Sequence, residues 1–303
     1  MAVATTRTPQ AQPTPLPPLR APWRPDSLLS LLRNPQLIWV FVQTERGNKY
    51  DGTLLGSVWD FVRPLMQFFV YFVVIGYILG LRKSVPNFGI YCFAGVTVVQ
   101  IFAMSITSAT RSLSKNATLL RQANVPVEAI PIGSVVAATM RERAALLALV
   151  VGAILTGWRP NHLSYIPYAV GGFVLLVVFS AGLGMCTAVA AMYVKDTQYA
   201  IQSLLMLVRW ISPIFYPWML VAKVLPAPLM TLYLANPITV AMIGFRETFW
   251  APTVGVALAH EKIAEPPYLP IVLSVIFTVI TFGVGVWLMR RTQHRVASRV
   301  KWT

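Results

Sequence analysis

Charged residues are scarce in this sequence, and acidic residues are scarcer still. Only 12% of the 303 residues are charged, 10 are Asp or Glu, 56% are hydrophobic, and the mean hydropathy is +0.63. Soluble globular proteins carry roughly a quarter charged residues. Because the apolar residues are also gathered into long runs, the composition excludes a water-soluble protein and indicates an integral membrane protein.

The sequence also lacks the residue patterns of most enzymes and metal proteins. Its two cysteines, Cys92 and Cys186, lie in apolar runs without a Cys/His cluster, so neither a disulfide framework nor a zinc site is indicated. There is no Gly-Lys dipeptide, and hence no phosphate-binding loop for ATP hydrolysis. His260-Glu261 has no second histidine at the zincin spacing. We therefore expect no bound metal, no bound cofactor and no catalytic residue in this chain.

The distribution of positive charge predicts the membrane topology. A net charge of +15 is compatible with nucleic acid, with anionic lipid or with the positive-inside rule. The first 25 residues hold seven prolines and no signal-peptide core, so 1–27 is expected to be a disordered cytoplasmic tail. Sixteen Lys and Arg then lie on the cytoplasmic side, six lie outside and three lie within spans. This asymmetry predicts that both termini are cytoplasmic, and no nucleic-acid partner is expected.

An all-α membrane domain is predicted for residues 62–289. Before it, segment 28–61 contains an interfacial helix, which begins at Asn34-Pro35. The same segment also contains the entry to the first span. After it, residues 290–303 form a basic cytoplasmic tail. Six apolar segments are each near the roughly 20 residues that cross a bilayer. Their bounds are 62–81, 90–110, 134–157, 166–191, 199–219 and 268–289.

The external segment 224–250 allows three interpretations. It is long enough for a seventh span, but that span would put the basic C-terminal tail outside. Its prolines and the Asn236-Pro237 break favour two half-helices that enter the outer leaflet and return, a re-entrant hairpin. A surface loop of apolar character is the third interpretation.

Three arginines lie within the predicted spans, where charge is costly. Arg141 and Arg143 flank Glu142 near the cytoplasmic end of the third span, and Arg209 lies nearer mid-membrane. Because a planar guanidinium matches phosphate oxygens, these arginines are candidates for the route of an anionic lipid headgroup. Snorkelling and ion pairing with Glu142 are the structural alternatives.

Aromatic residues crowd the first span and its approach. Their rings can stack on sugars, although lipid-facing and interfacial positions are more typical of such residues. The candidates for the substrate route are Trp59, Phe61, Phe68, Tyr71 and Phe72.

Four short motifs follow one another along the predicted elements. Residues 49–59 (KYDGTLLGSVW) contain a Leu-Gly-x-x-Trp spacing, and Lys195-Asp196 follows the fourth span. Residues 212–217 (SPIFYP) end the fifth span, and Asn236-Pro237 precedes Arg246 in the hairpin. This order resembles the membrane subunit of ABC-2 type exporters. It looks most like the exporters of O-antigen, teichoic acid and capsule, and the Ala/Val/Arg-rich usage looks like an actinobacterial branch that exports galactan.

The resemblance implies a homodimer in the bacterial plasma membrane, bound to two copies of a separate ATPase subunit that uses ATP and Mg²⁺. The substrate that it implies is a polyprenyl-pyrophosphate-linked glycan. Three alternatives stay open: an ABC-2 exporter of a small lipophilic compound, a proton-coupled carrier and a membrane-embedded transferase.

Two further groups of candidate residues follow from this expectation. The cytoplasmic loop 111–130 is expected to dock onto the ATPase together with the entry helix, and the turn after the fourth span is expected to take part. The coupling candidates are Arg111, Lys115, Arg121, Glu128, Lys195 and Asp196. The hairpin is expected to seal the outer end of the conduit by dewetting, with Arg246 at its outer rim as a clasp or an interface anchor. The gate candidates are Leu229, Leu232, Leu234, Asn236, Pro237 and Arg246.

Overall fold

The computed structural model describes residues 39, 42–43, 58–83, 85–116, 126–256, 259 and 268–299. Every regular element in these ranges is helical, which confirms the all-α prediction. The predicted tail 1–27 lies outside the described residues, as does most of the predicted segment 28–61. Within that segment Trp39, Val42 and Gln43 are helical, and Val42 is fully buried.

The described helices range from one turn to more than eight turns in length. A π-helical stretch covers Phe72–Ile78, and short 3₁₀ turns cover Leu81–Lys83 and Pro160–Tyr165. In chain order the helices are α1 (Trp59–Tyr71), α2 (Phe88–Lys115), α3 (Ala129–Arg141), α4 (Arg143–Leu155), α5 (Ile166–Tyr193), α6 (Thr197–Ile211), α7 (Trp218–Ala222), α8 (Ala227–Leu234), α9 (Pro237–Phe249), α10 (Ala251–Val254) and α11 (Tyr268–Arg299).

The helix α2 is the centre of the bundle. Most of its residues are buried, and it packs against α3, α4, α5, α6 and α9. The hydroxyls of Thr110 on α2 and Thr187 on α5 are 2.8 Å apart and form a hydrogen bond. A Cβ atom on Gly184 of α5 would lie 2.6 Å from the Cβ of Ala109. Small residues and one polar pair therefore hold these two helices together, as is common between apolar helices.

The helix α11 packs on α5 through a second close approach. A Cβ atom on Gly182 would lie 2.6 Å from the Cα of Phe282, and one on Gly285 would lie 2.5 Å from the carbonyl oxygen of Gly182. Only glycine allows the two backbones to come so near. Nothing local in the sequence marks these two glycines of distant helices as neighbours.

Three described helices are long and apolar enough to cross a membrane: Phe88–Lys115, Leu163–Tyr193 and Tyr268–Thr292. A fourth possibility is the pair Ala227–Leu234 and Pro237–Val254, which bends by 71° and is either a broken span or a re-entrant loop. The second, fourth and sixth predicted spans correspond to the three long helices. The number of six spans and the re-entrant path of the hairpin stay predictions.

The predicted bounds of the third, fifth and last spans differ from the bounds of the corresponding helices. The third is divided at Glu142, whose amide donates to the carbonyl of Thr139 in a 3₁₀ turn between α3 and α4. The fifth was predicted over 199–219, but α6 ends at Ile211 because Ser212 precedes a proline and takes an extended conformation. The last helix continues past 289 to Arg299, so the first ten residues of the predicted basic tail are helical.

Candidate functional site

The non-helical segment after α6 contains a buried polar contact. Residues 212–217 leave the helical hydrogen-bond ladder, so the carbonyls of Pro213 and Ile214 need other donors. Arg246 of α9 supplies them: its Nη2 donates to the Pro213 oxygen at 2.6 Å and to the Ile214 oxygen at 2.8 Å. The arginine thereby provides hydrogen-bond donors for the two carbonyls that the helix break leaves unpaired in an otherwise apolar region.

The same guanidinium lies against α2. Its Cζ sits 3.6 Å from the ring centroid of Tyr91, and its Nε donates to the Tyr91 carbonyl at 3.4 Å. The Tyr91 hydroxyl in turn donates to the carbonyl of Tyr216 at 3.1 Å. A Cβ on Gly95 would lie 3.0 Å from the Arg246 Nη2, so this glycine provides the space that the guanidinium fills. We call Tyr91, Gly95, Pro213, Ile214 and Arg246 the Arg246 cluster.

Arg246, which the sequence predicts as a clasp or an interface anchor at the outer rim, is buried in the bundle. Its side chain is only 5% exposed, inside the contact between α2, α9 and the segment after α6. The carbonyls freed by the helix break provide acceptors for this buried guanidinium. Tyr91 lies 155 residues before Arg246, so no local pattern in the sequence connects Arg246 with Tyr91 or with the nearby Gly95.

Two of the three arginines in the predicted spans contact α2, at different heights along its axis. Arg209 Nη2 donates to Gln100 Oε1 at 3.1 Å, and Arg141 Nη2 donates to Ser108 Oγ at 2.9 Å. Their partners are eight residues apart, about 12 Å along a helix axis. Both arginines are partly buried, Glu142 is buried, and Arg143 is exposed.

The space around Arg209 is too small for a substrate in this single chain. The cavity has a volume of about 10 Å³ and is lined by Tyr71, Val96, Val99, Gln100, Arg209 and Ile214. That volume is at the lower limit for one water molecule. The described bundle therefore has a filled interior at this level.

The aromatic candidates of the first span divide into two groups. Phe68 packs on Phe93 with ring centroids 5.0 Å apart, and Tyr71 packs edge-on against Phe215 at 4.6 Å. Phe72 stacks on Phe68 and, like it, lies against the hydrophobic core. Trp59 is partly buried, and Phe61 is exposed. Three of the five thus pack within the chain, and their place on a substrate route stays a prediction.

The described coupling candidates lie at one end of the bundle, but one of them is not exposed. Arg111 and Lys115 are exposed near the end of α2, and Lys195 and Asp196 are exposed in the turn between α5 and α6. The prediction that Glu128 belongs to an exposed charged surface was wrong. Its side chain is 2% exposed, and its Oε1 lies 3.5 Å from Arg290 Nε on α11. Arg121 lies outside the described residues.

The gate candidates surround the bend between α8 and α9. Asn236 is the N-cap of α9, its Oδ1 accepting from the Ile238 amide at 3.0 Å, and Pro237 occupies the first helical position. The bend of 71° lies at this predicted break. Leu229 and Leu232 are 50% and 70% exposed, whereas Leu234 is 4% exposed and packs inside the bundle. Two of the three leucines are thus available to a neighbour.

The described residues contain no group of three or more His, Cys, Asp or Glu side chains placed to bind a metal ion. Cys92 is buried and Cys186 is partly buried, and both are free thiols. The polar side chains described above form hydrogen bonds to carbonyls at a helix break and between neighbouring helices.

Comparison with known proteins identifies relatives for most of the chain. The sequence profile of the family described as ABC-2 type transporter matches residues 36–250. The O-antigen export system permease protein RfbA of Myxococcus xanthus is 26% identical over 216 residues, which cover 71% of this chain and 80% of that protein. A protein of the same name from Klebsiella pneumoniae is 23% identical over 265 residues, covering 86% and 93%. The capsule polysaccharide export inner-membrane protein CtrC of Neisseria meningitidis serogroup B is 25% identical over 158 residues, covering 52% and 58%.

Proposed function

Because the chain belongs to the ABC-2 type transporter family, we propose that it is the permease of an exporter that moves a lipid-linked polysaccharide out of a bacterial cell. The observation that carries this proposal is the similarity to permeases named for O-antigen and capsule export, which extends over up to 86% of the chain. The permease lies in the plasma membrane with both termini in the cytoplasm, an orientation supported by the excess of Lys and Arg on that side.

The conduit forms between two copies of this chain. The cavity beside Arg209 holds only about 10 Å³ in one copy, which is too little for a sugar, so we place the conduit between two copies. Apolar side chains on the outer faces of α1 and α6 are exposed, among them Phe69, Met206 and Trp210. A large exposed apolar surface marks a lipid or protein contact. A second copy that packs on these faces would bring two sets of arginines to one conduit.

The substrate carries a polyprenyl pyrophosphate at one end. Arg141 and Arg209 contact α2 about 12 Å apart along its axis, and Arg143 lies exposed beside them. Guanidinium groups at successive depths suit a pyrophosphate that moves inward from the cytoplasmic surface. The hairpin of α8 and α9 closes the external end, with the exposed Leu229 and Leu232 available for an apolar seal.

Energy comes from a separate ATPase subunit that binds ATP and Mg²⁺, two copies per dimer. The exposed basic residues Arg111 and Lys115 and the turn at Lys195-Asp196 form the surface that contacts it. Arg121 and Glu128 were proposed for the same surface from sequence. The ion pair of Glu128 with Arg290 supports a different role, which is to link this loop to α11.

Purification of the tagged complex tests the assignment. The chain should co-purify with an ATPase subunit, and charge reversal by Arg111→Glu or Lys195→Glu should lower its recovery. Lys83→Glu is the matched control, because Lys83 is also exposed but lies at the opposite end of the bundle. Export that follows the proton gradient and needs no ATPase would contradict the proposal and indicate a carrier instead.

A further inference from the structure

The helix α11 carries an exposed aromatic residue near each end of its apolar stretch. Tyr268 is 85% exposed and Trp287 is 54% exposed. They are nineteen residues apart, about 29 Å along the helix axis. That distance matches a hydrocarbon core of ~30 Å, and Tyr and Trp are enriched at the two surfaces of this core. The two rings therefore place Trp287 at the level of the lipid headgroups.

The surface of α11 between these rings is apolar and exposed. Val272, Val279 and Ile280 are each more than half exposed, and α11 is one of the described helices that are long and apolar enough to cross a membrane. In a chain of a membrane transporter family, such a surface is typical of contact with lipid. The first charged residue after it is Arg290, three residues past Trp287. The apolar surface thus ends at the depth that the aromatic rings indicate.

Basic residues follow this surface on one side of the helix. Trp287, Arg291, Arg295 and Arg299 are spaced by four residues, so their positions lie along one broad side of α11. We call these four residues the α11 basic stripe. The sequence has no Asp or Glu after Glu265, so no carboxylate of this helix offsets the charge of the stripe.

Two neighbouring arginines at the start of the stripe have different surroundings. Arg290 is paired with Glu128, its Nε 3.5 Å from the Oε1 of that buried carboxylate. Arg291 is exposed, and its Cζ lies 5.1 Å from the ring centroid of Trp287. The Arg291 guanidinium therefore lies near the depth of the indole ring, which is the depth of lipid headgroups. Arg291 rather than Arg290 offers its charge to a ligand at the membrane surface.

We propose that the end of α11 at Trp287 and Arg291 binds the headgroup of a phospholipid with a net negative charge. A planar guanidinium matches the phosphate oxygens of such a headgroup. Clusters of basic residues directly after a membrane span attract anionic lipids through the same charge. The inference goes beyond the proposed export function, and it holds whichever side of the membrane this end of α11 faces.

The contribution of each arginine should fall with its distance from Trp287. The positions of Arg295 and Arg299 lie about 6 and 12 Å beyond that of Arg291 along the helix axis. Charges in solution are screened over ~10 Å at 0.1 M salt. A lipid surface therefore depends most on Arg291 and least on Arg299. A protein that docks along the whole stripe would depend on Arg299 at least as strongly.

The chain offers matched control variants for this gradient. Arg299→Gln makes the same substitution on the same side of the same helix, farther from the membrane surface. Arg82→Gln removes another exposed arginine that lies over an aromatic ring, 4.0 Å from the centroid of Tyr77, at the opposite end of the bundle. Arg291→Lys keeps the positive charge and should retain the lipid preference.

The experiment uses the full chain in phosphatidylcholine vesicles with a trace of a lipid that carries a photoactivatable group near its glycerol. The probe lipid is either phosphatidylglycerol or phosphatidylcholine, and labelling is quantified on peptides from the end of α11. Both probes contain a phosphate and the bulk lipid is zwitterionic, so the ratio of the two labelling yields reports the net charge of the headgroup. A phosphatidylserine probe should match phosphatidylglycerol, because both carry one net negative charge.

In 0.1 M salt the ratio should be about fivefold for the wild type, the factor for one basic residue near a membrane surface. It should fall towards one in 1 M salt, where screening acts over ~3 Å. Arg291→Gln should bring the ratio close to one, Arg295→Gln should give an intermediate ratio, and Arg299→Gln and Arg82→Gln should leave it unchanged. If Arg291→Gln is not recovered, the salt dependence and the Arg295→Gln variant provide the test.

Several outcomes would overturn the proposal. A ratio near one for the wild type, or a ratio that does not change with salt, would mean that α11 does not select anionic lipid. Equal losses in Arg291→Gln and Arg299→Gln would contradict binding at the depth of Trp287. An unchanged ratio in Arg291→Gln together with poorer recovery of an ATPase subunit would assign the stripe to a protein partner. The vesicles contain no ATPase and no glycan, so failure here would leave the proposed export function untouched.

Discussion

Replacing Arg246 should destabilise the bundle more than replacing any exposed arginine. In Arg246→Met the carbonyls of Pro213 and Ile214 lose the donor that lies 2.6 and 2.8 Å away, and the ring of Tyr91 loses its cation. A buried carbonyl left without a donor costs about 1–3 kcal/mol. A desolvated cation–π contact adds about 2 kcal/mol. Part of this loss is offset because methionine carries no charge to desolvate.

The expected net loss is therefore about 3–5 kcal/mol in the free energy of unfolding. Arg246→Lys keeps the charge but not the planar fork that serves two carbonyls, and should lose about 1–2 kcal/mol. The control is Arg82→Met: Arg82 also lies over a tyrosine ring, at 4.0 Å from the centroid of Tyr77, but is exposed. That contact is worth about 0.5–1 kcal/mol.

Unfolding of the purified chain in mixed micelles with a rising fraction of denaturing detergent, followed by tryptophan fluorescence, measures these differences. The predicted order of stability is wild type and Arg82→Met, then Arg246→Lys, then Arg246→Met. Equal stability of Arg246→Met and Arg82→Met would show that the segment after α6 does not depend on the buried guanidinium, and would refute the argument.

Three further changes have expected results. Gly244→Ala should cost about 1–3 kcal/mol of stability in the same unfolding assay, because a Cβ there would overlap the carbonyl oxygen of Tyr168. Gly171→Ala is the control and should be neutral or slightly stabilising, because a Cβ there meets nothing within 4 Å. Asn236→Ala should cost about 1 kcal/mol through loss of the N-cap of α9, measured in the same way, with Asn236→Ser retaining most of the stability. Arg209→Gln should lower substrate-stimulated ATPase activity of the purified complex but leave basal activity and assembly intact; a variant that fails to assemble would instead indicate a structural role.

Features that depend on neighbouring residues could be predicted from the sequence. The long apolar helices follow from hydropathy, and the bend at Asn236-Pro237 follows from an N-cap residue before a proline at the first helical position. The similarity to the ABC-2 type transporters, first inferred from short motifs, is confirmed by the family match over residues 36–250. In each case the signal lies within a few residues of the feature that it predicts.

Features that depend on distant residues could not be predicted in this way. The burial of Arg246 follows from carbonyls about 30 residues before it and from Tyr91 still further away. Glu128 reads as an exposed loop residue until α11 brings Arg290 beside it. A cavity of about 600 Å³ is lined mainly by α5, α9 and α11, whose apolar residues look alike in sequence. Periodicity identifies an apolar helix, but its neighbours are set by tertiary packing.

Transport in sealed vesicles tests the central proposal most directly. The chain is reconstituted with its co-purified ATPase subunit, a polyprenyl-pyrophosphate-linked glycan is supplied on the side that faces the ATPase, and its appearance on the other side is measured. We predict translocation that needs both ATP and the ATPase subunit and that continues when the proton gradient is collapsed. Translocation without ATP, or ATP-driven movement of a small lipophilic compound while the glycan stays in place, would contradict the proposal.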